Sequence, residues 1–121
     1  MRQARLYLRA SHGTLDTGVR VSVAATARER MAGLLGRESM APDEALLLSP
    51  CGAVHTFGMR MAIDVVFLDK RQRVLAVHPC VGRQRVRGHW RARQTLELGA
   101  GRAAALGIAP GQTLEMREER P

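Results

Sequence analysis

The sequence has few aromatic residues: two Phe, one Tyr and one Trp, which together make up 3% of its 121 residues. Proteins that bind single-stranded nucleic acid use aromatic side chains as stacking platforms, and few are available here. A core must therefore be built from Leu, Val, Ile, Ala and Met. The hydrophobic fraction of 45% is typical of a globular domain, so we expect most of the chain to be ordered.

Cysteines and long apolar runs are also scarce. Only Cys51 and Cys80 are present, whereas secreted domains stapled by disulfides usually carry more. No run approaches the ~20 apolar residues that a membrane span needs. Arginines interrupt the first ten residues, so no signal peptide is visible. We therefore expect a cytoplasmic protein with reduced thiols, although an exported form whose leader had been removed would read the same.

Lysine is nearly absent, because Lys70 is the single lysine among 19 basic residues, and the formal net charge is +8. Such a balance is compatible with a nucleic-acid or acidic-surface partner, and equally with a genome that favours arginine. Residues 82–94 contain five arginines and no acid. Either they contact phosphates while Trp90 stacks on a base, or they form a solvated loop whose tryptophan covers the edge of the fold.

Alternating apolar residues predict a mainly β fold, a small single-domain β-barrel or sandwich spanning residues 1–121 with a frayed tail at 117–121. Strands are predicted at 2–9, 19–23, 45–48, 62–69, 73–78, 95–98 and 113–116. One clear short helix is predicted at about 26–35, opened by a capping box of Thr26 and Glu29 and ended by Gly36, with Met31, Leu34 and Leu35 on its apolar face. A minor helical turn is predicted at about 101–106.

The strands at 62–69 and 73–78 should pair as a central hairpin with two apolar faces. If Asp69 faces Arg73, then Asp64 faces His78. An isolated carboxylate in an apolar strand is costly, so Asp64 needs a partner. His78 is the first candidate, followed by Arg30 and His55, and the alternative is that Asp64 accepts hydrogen bonds from loop amides.

Four blocks in the same order resemble the bacterial and archaeal family named domain of unknown function 192: residues 30–37, 55–69, 96–101 and 107–112. The second block is similar to the variant of that family that reads His-Thr-Phe-Gly-Met. The resemblance implies a compact β-barrel or sandwich with short helices, and it implies no activity because the family has no agreed one. Gln72 stands at a turn where the family often has glycine, so a positive φ there would cost about 1 kcal/mol.

The favoured functional hypothesis is a non-catalytic binding module for a small polar or anionic ligand, with no cofactor or metal. The site would be lined by Arg30, Arg37, His55, Thr56, Met59, Asp64 and Glu97. Arg30 and Arg37 are seven residues apart and could clamp a carboxylate or phosphate. Alternatively, they tie the helix end to Asp64 or Glu97.

Two other hypotheses involve the cysteines and histidines. Cys51, His55 and Asp64 could form a thiol-based enzyme site, or Asp64 and His78 could transfer a proton. Cys51, His55, His78 and Cys80 could instead hold zinc, although neither spacing is a standard zinc motif. The structural alternative is two buried free thiols and two histidines bonded to backbone.

Overall fold

The structure, a computed structural model, describes residues 1–119. In chain order these residues form β1 (Arg2–Ala10), β2 (Gly13–Ala24), α1 (Ala27–Ala32), β3 (Glu44–Leu48), β4 (Ala53–His55), β5 (Ile63–Leu68), β6 (Val74–Val81), β7 (Val86–Gly88), β8 (Gln94–Gly99), α2 (Arg102–Ala105) and β9 (Leu114–Glu118). The predicted mainly β, single-domain fold with two short helices is confirmed. None of the helices in the described part is long and apolar enough to cross a membrane.

Seven strands form one sheet in the order β6-β5-β8-β3-β2-β1-β9, and β4 pairs with β7 in a separate two-stranded sheet. The pair β2–β3 is parallel, and the other pairs are antiparallel. The large sheet curls until its ends meet at an isolated bridge between Arg73 and Thr113. It is therefore sandwich-like rather than a barrel closed by a full ladder.

Two hydrophobic clusters lie on opposite faces of β5, whose six residues are all buried. Val66 and Leu68 pack into one cluster, and Ile63, Val65 and Phe67 pack into the other. Successive side chains of a strand point to opposite faces, so a strand that is buried throughout must lie between two packed layers. The prediction that the whole hairpin lies in the middle of the fold is therefore right for β5 and wrong for β6, which is an edge strand of the large sheet and is mostly half-buried or exposed.

Helix α1 begins as predicted and ends earlier. The Thr26 hydroxyl accepts from the Glu29 amide at 3.1 Å, and the Glu29 carboxylate accepts from the Thr26 amide at 3.1 Å, which completes the capping box. The helix stops at Ala32 because Gly33 leaves it with φ of 46°, so the predicted end at Gly36 is wrong. Met31 is 77% exposed and was wrongly assigned to the apolar face.

The central hairpin has a different register from the predicted one. Its turn is as expected, since the Asp69 amide donates to the Arg73 carbonyl at 3.0 Å. Beyond the turn a β-bulge inserts one extra residue of β6, which moves the later pairs by one position. Val65 therefore lies opposite His78, and the predicted pairing of Asp64 with His78 is wrong.

Three further predictions concern the hairpin turn, the arginine-rich segment and the C-terminal tail. Gln72 adopts φ of 63°, as the turn required. The segment predicted as an exposed arginine-rich excursion contains β7, which the sequence analysis missed because its three residues carry no alternating pattern of their own. Of the predicted frayed tail, Arg117 and Glu118 belong to β9, and residues 120 and 121 lie outside the described residues.

Candidate functional site

A cavity of about 320 Å³ lies beside α1, between this helix, the segment around β4 and the face of β8. Its apolar walls include Leu34, Leu48, Val54 and Met59, and its polar groups are Arg30, Cys51, His55 and Glu97. We call it the α1 cavity. Of the seven predicted site residues, it brings together Arg30, His55, Met59 and Glu97.

Glu97 is the buried polar group of the α1 cavity. Its neighbours Leu96 and Leu98 point into one hydrophobic cluster, so strand alternation turns Glu97 to the opposite face. The residue is 5% exposed, and no residue in the described part of the chain hydrogen-bonds or ion-pairs with its carboxyl group. Because no enclosed side-chain oxygen of these residues lacks a partner, the carboxyl oxygens of Glu97 open onto the cavity. Burial raises the pKa of Glu97 to about 7. The group is therefore close to half protonated at neutral pH and can either donate or accept a hydrogen bond.

Asp64, by contrast, is fully satisfied and does not line the α1 cavity. Its Oδ1 accepts from the amides of Cys80 at 2.9 Å and Gly101 at 3.1 Å, and its Oδ2 accepts from the amide of Ala103 at 2.8 Å. The partners expected first, an imidazole or an arginine, are thus wrong, and backbone amides take their place: one in β6, one just before α2 and one in α2. This carboxylate joins β6 and the start of α2 to β5.

The two arginines do not form a clamp. Arg37 makes a bidentate ion pair with Glu44, with Nη1–Oε2 and Nη2–Oε1 distances of 3.1 and 2.5 Å. Arg37 does not line the α1 cavity, whereas Arg30 does and donates from Nη1 to the Ala25 carbonyl at 2.6 Å. The proposed ties to Asp64 or Glu97 are also wrong. Arg30 alone remains as a cation on the cavity wall.

The residues at the end of β4 and just after it have two different roles. Thr56 is buried outside the α1 cavity, where its hydroxyl donates to the Gly82 carbonyl at 2.6 Å and accepts from the Arg85 amide at 2.9 Å. This pair of bonds anchors the loop. His55 and Met59 instead face the α1 cavity, with Met59 buried and His55 exposed at its mouth.

Cys51 also lines the α1 cavity, although the favoured hypothesis left it out. Its carbonyl accepts from the Thr95 hydroxyl at 3.2 Å, and its amide donates to the Arg93 carbonyl at 2.9 Å, which holds it against β8 near Glu97. The Cys51 thiol donates to the Ala53 carbonyl at 3.1 Å. The acid that shares a cavity with Cys51 and His55 is therefore Glu97, not Asp64.

The residues of the zinc hypothesis are not brought together. Among residues 1–119, no group of three or more His, Cys, Asp or Glu side chains is placed to hold a metal ion. His78 packs edge-on against Phe67 with ring centroids 5.6 Å apart, and burial, followed by the charges of Arg87 and His89, lowers its pKa. Cys80 is exposed.

Solved structures share this fold. A candidate transcription regulator from Sinorhizobium meliloti 1021 superposes with a TM-score of 0.82 at 24% identity, covering 94% of this chain and 93% of its own. A protein of unknown function from Novosphingobium aromaticivorans has a TM-score of 0.79 at 21% identity, covering 92% and 83%. At these identities the likeness concerns the fold alone. No curated protein matches the sequence significantly.

A family model agrees with the resemblance noted in the sequence. The model DUF192, described as "Uncharacterized ACR", matches residues 8–116. The match includes every residue that lines the α1 cavity. The chain therefore belongs to the DUF192 family of uncharacterised proteins.

Proposed function

We propose that this domain is a non-catalytic binding module that takes up a small ligand in the α1 cavity, with Glu97 as the anchoring group. The observation that carries the proposal is the state of Glu97, a carboxyl group that is 5% exposed and faces a cavity instead of a protein partner. Buried polar groups are almost always hydrogen-bonded within a protein. A ligand with a hydrogen-bond donor would satisfy this one.

The energetic consequence of leaving Glu97 without a partner supports the same proposal. A rise in its pKa from 4.5 to about 7 corresponds to a loss of about 3 kcal/mol of folding stability when the group is ionised. A residue that served only packing would be replaced by an apolar side chain at a gain in stability. Groups that destabilise the folded protein in this way are concentrated at functional sites.

The lining of the α1 cavity indicates the chemistry of the ligand. A volume of about 320 Å³ is at the lower end of the range for small-molecule sites, about 300–1,000 Å³. Its walls are mostly apolar, with Glu97 within and the cation Arg30 at one side. The best fit is a compact molecule with an apolar body and a polar end that donates to Glu97. Because Arg37 is engaged elsewhere, an anionic group on the ligand would meet one arginine, not two.

The proposal is tested by ¹H–¹⁵N NMR titration of the full chain with a panel of small amines, polyols, sugars and anionic metabolites. We expect at least one class to bind saturably and to shift amides around Glu97 and α1. Glu97→Gln should weaken that binding about tenfold, which corresponds to one charge-assisted hydrogen bond. The matched control is Glu38→Gln, an exposed carboxylate paired with Arg60 outside the cavity. Equal affinity in wild type and Glu97→Gln would contradict the proposal.

One observation favours an enzyme as the second candidate: Cys51, His55 and Glu97 line the same cavity. A nucleophilic thiol must be accessible and ionised, whereas the Cys51 thiol is half-buried and donates to a carbonyl. Alkylation of the Cys80→Ser variant at pH 7 separates the two candidates. If the domain is a binding module, Cys51 should be modified slowly in the folded protein, and if it is an enzyme, Cys51 should be modified faster than a free thiol.

The cytoplasmic location stays a prediction.

A further inference from the structure

A second concavity, of about 540 Å³, lies between the β5–β6 turn and the loop that joins β7 to β8. The turn contributes Lys70, Arg71 and Arg73, and the loop contributes Trp90, Arg91 and Arg93. We call it the Trp90 cleft. Five of these six side chains are cations, and the residues lie on two segments that are about 20 positions apart in the sequence, so only folding brings them together.

The positive charge of the Trp90 cleft is compensated only in part by residues 1–119, because five cations face one carboxylate, Asp69. Some arginines elsewhere are paired with carboxylates, as in Arg5 with Asp16 and Arg60 with Glu38. The cleft cations form no such pair within residues 1–119. Asp69 offsets one of these five charges through its interactions with Arg73 and Arg91, and its Oδ1 also accepts from the amides of Arg71 at 2.8 Å and Arg73 at 3.0 Å. The guanidinium groups therefore remain open to an external anion.

Trp90 is 90% exposed, which excludes the prediction that it covers the edge of the fold. It occupies a corner of a tight turn closed by a hydrogen bond from the Ala92 amide to the His89 carbonyl at 3.0 Å. The His89 amide also donates to the Gly52 carbonyl at 3.0 Å, and the Arg93 amide donates to the Leu68 carbonyl at 2.8 Å. The exposed ring thus projects from a backbone that is held on both sides, which reduces the entropy lost when a ligand stacks on it.

The neighbours of the ring suit an aromatic ligand. The His89 ring is parallel to the Trp90 ring within 9°, with centroids 6.4 Å apart. The Arg91 guanidinium lies 5.7 Å from the centroid of the Trp90 ring. Planar rings beside planar guanidinium groups provide stacking for a base, and arginine forks provide paired donors for phosphate oxygens.

We propose that the Trp90 cleft binds a nucleotide, with its base stacked on Trp90 and its phosphates held by the surrounding arginines. The same chemistry is present in a free nucleotide and in a nucleotide within a single strand. A duplex keeps its bases stacked inside and offers no face to Trp90. This site is separate from the α1 cavity and does not depend on the function proposed there.

The chain itself provides the measurement, because Trp90 is its single tryptophan. Stacking of a base should quench the intrinsic emission of Trp90 saturably. The probes are ATP, AMP, a 12-nucleotide oligothymidylate, a 12-base-pair duplex and vesicles of anionic phospholipid. If the source is a single strand, the oligonucleotide binds at least tenfold more tightly than ATP, and its affinity falls steeply with salt, with a log–log slope of about −3 for about four phosphates neutralised. If the source is a free nucleotide, ATP binds at least as tightly as the oligonucleotide.

Variants assign the binding to the cleft through the anisotropy of a fluorescein-labelled oligonucleotide or a labelled ATP. Trp90→Ala should lower the affinity at least about fivefold, and Trp90→Phe should restore most of it, since stacking needs only a ring. The double variant Arg91→Gln/Arg93→Gln should lower both the affinity and the salt slope. The matched control is Arg20→Gln/Arg28→Gln, which removes the same charge from exposed positions outside the cleft.

Three results would overturn the proposal. One is the absence of saturable quenching by ATP, AMP and the oligonucleotide. Another is an equal loss of affinity in the control double variant, which would indicate attraction to net charge without a site. The third is tighter binding of the duplex or of the vesicles than of any probe with an accessible base.

Discussion

Asp64 and Glu97 are two buried carboxyl groups on adjacent strands of one sheet, and their surroundings differ completely. Asp64 lies opposite Leu98 and Glu97 lies opposite Val65, so the two side chains point to opposite faces. Their exposed fractions are 0% and 5%. Asp64 accepts three amide hydrogen bonds, whereas Glu97 meets the open space of the α1 cavity.

This difference separates a structural acid from a functional one. The extent of burial does not distinguish the two acids, since both groups are buried to nearly the same extent. What separates them is whether the protein provides hydrogen bonds for the ionised form. Asp64 stabilises the fold because the protein provides hydrogen bonds for its ionised form. Glu97 destabilises the fold at neutral pH because burial raises its pKa to about 7. The predictions that follow test the comparison, in order of decreasing effect.

Removal of the Asp64 carboxylate should have the largest effect. Asp64→Ala leaves three amides without an acceptor, and each bond to a charged group contributes about 1.5 kcal/mol, so we expect a loss of about 4 kcal/mol in unfolding free energy. Asp64→Asn keeps one acceptor oxygen and should lose about 2 kcal/mol. Urea denaturation measures both. A loss below about 1 kcal/mol for Asp64→Ala would contradict a structural role.

Replacement of Glu97 by Gln should act in the opposite direction and depend on pH. The pKa of Glu97 is about 7 in the folded protein and 4.5 in the unfolded chain, so folding takes up a proton between these values. The contribution of Glu97 to stability is therefore greatest below pH 4.5 and is lost as the pH rises from 4.5 through 7. Between pH 4.5 and 8 the wild type should lose about 3 kcal/mol more than Glu97→Gln. Parallel stability curves for the two proteins would show that Glu97 is not destabilised by burial.

Loss of the capping box should have a smaller effect, and one that reaches Glu97. Thr26→Ala removes the hydroxyl that accepts from the Glu29 amide and should lower stability by about 1 kcal/mol. Because α1 forms a wall of the α1 cavity, its loosening should admit water and lower the pKa of Glu97, which NMR titration of the carboxyl carbon would report. Thr17→Ala, which removes a hydroxyl bond to the Leu6 carbonyl, is the control and should leave this pKa unchanged.

The smallest expected effect concerns the backbone strain at Cys80, whose amide donates to Asp64. Cys80 adopts φ of 50° while its amide donates to Asp64. Cys80→Gly removes the strain of a left-handed conformation, about 1 kcal/mol, and adds unfolded-state entropy, for a net gain of about 0.5 kcal/mol. Gln72→Gly, at φ of 63° in the hairpin turn, should behave similarly and serves as the reference. A loss of stability in Cys80→Gly but not in Gln72→Gly would show that the Cys80 side chain contributes packing that offsets its strain.

Much of the fold was predictable because its signals are local. Strict alternation identified the second half of β2, and a run of apolar residues identified β5. The spacing of Thr26 and Glu29 identified the start of α1, since a capping box involves four consecutive residues. The end of α1 was missed because two glycines, Gly33 and Gly36, could both end a helix, and their spacing does not say which adopts a positive φ first. The register of the hairpin was missed because a bulge leaves no mark in an alternating pattern.

The candidate site was predictable in its residue types but not in its grouping. Glu97 and His55 were recognisable as polar residues beside apolar strands, and both line the α1 cavity. Arg37 was misplaced because its ion-pair partner is Glu44, whereas the partners expected from the sequence were Asp64 and Glu97. The sequence does not rank these acids as partners, and only the folded geometry selects one. Cys51 joined the site through bonds to Arg93 and Thr95, more than 40 residues away, which no spacing rule covers.

By itself, the sequence determined that Asp64 would be buried, because a strand of apolar residues carries an acid within it into the core; that Glu97 is buried in the adjacent strand came from the pairing of β5 with β8. Only the tertiary structure decided which acid would be satisfied. The amides that bond Asp64 come from positions 80, 101 and 103, whereas within residues 1–119 no amide donates to the Glu97 carboxyl group. Hydrogen bonds act over about 3 Å, so the role of each carboxyl group was settled by chain segments that are distant in sequence and adjacent in space.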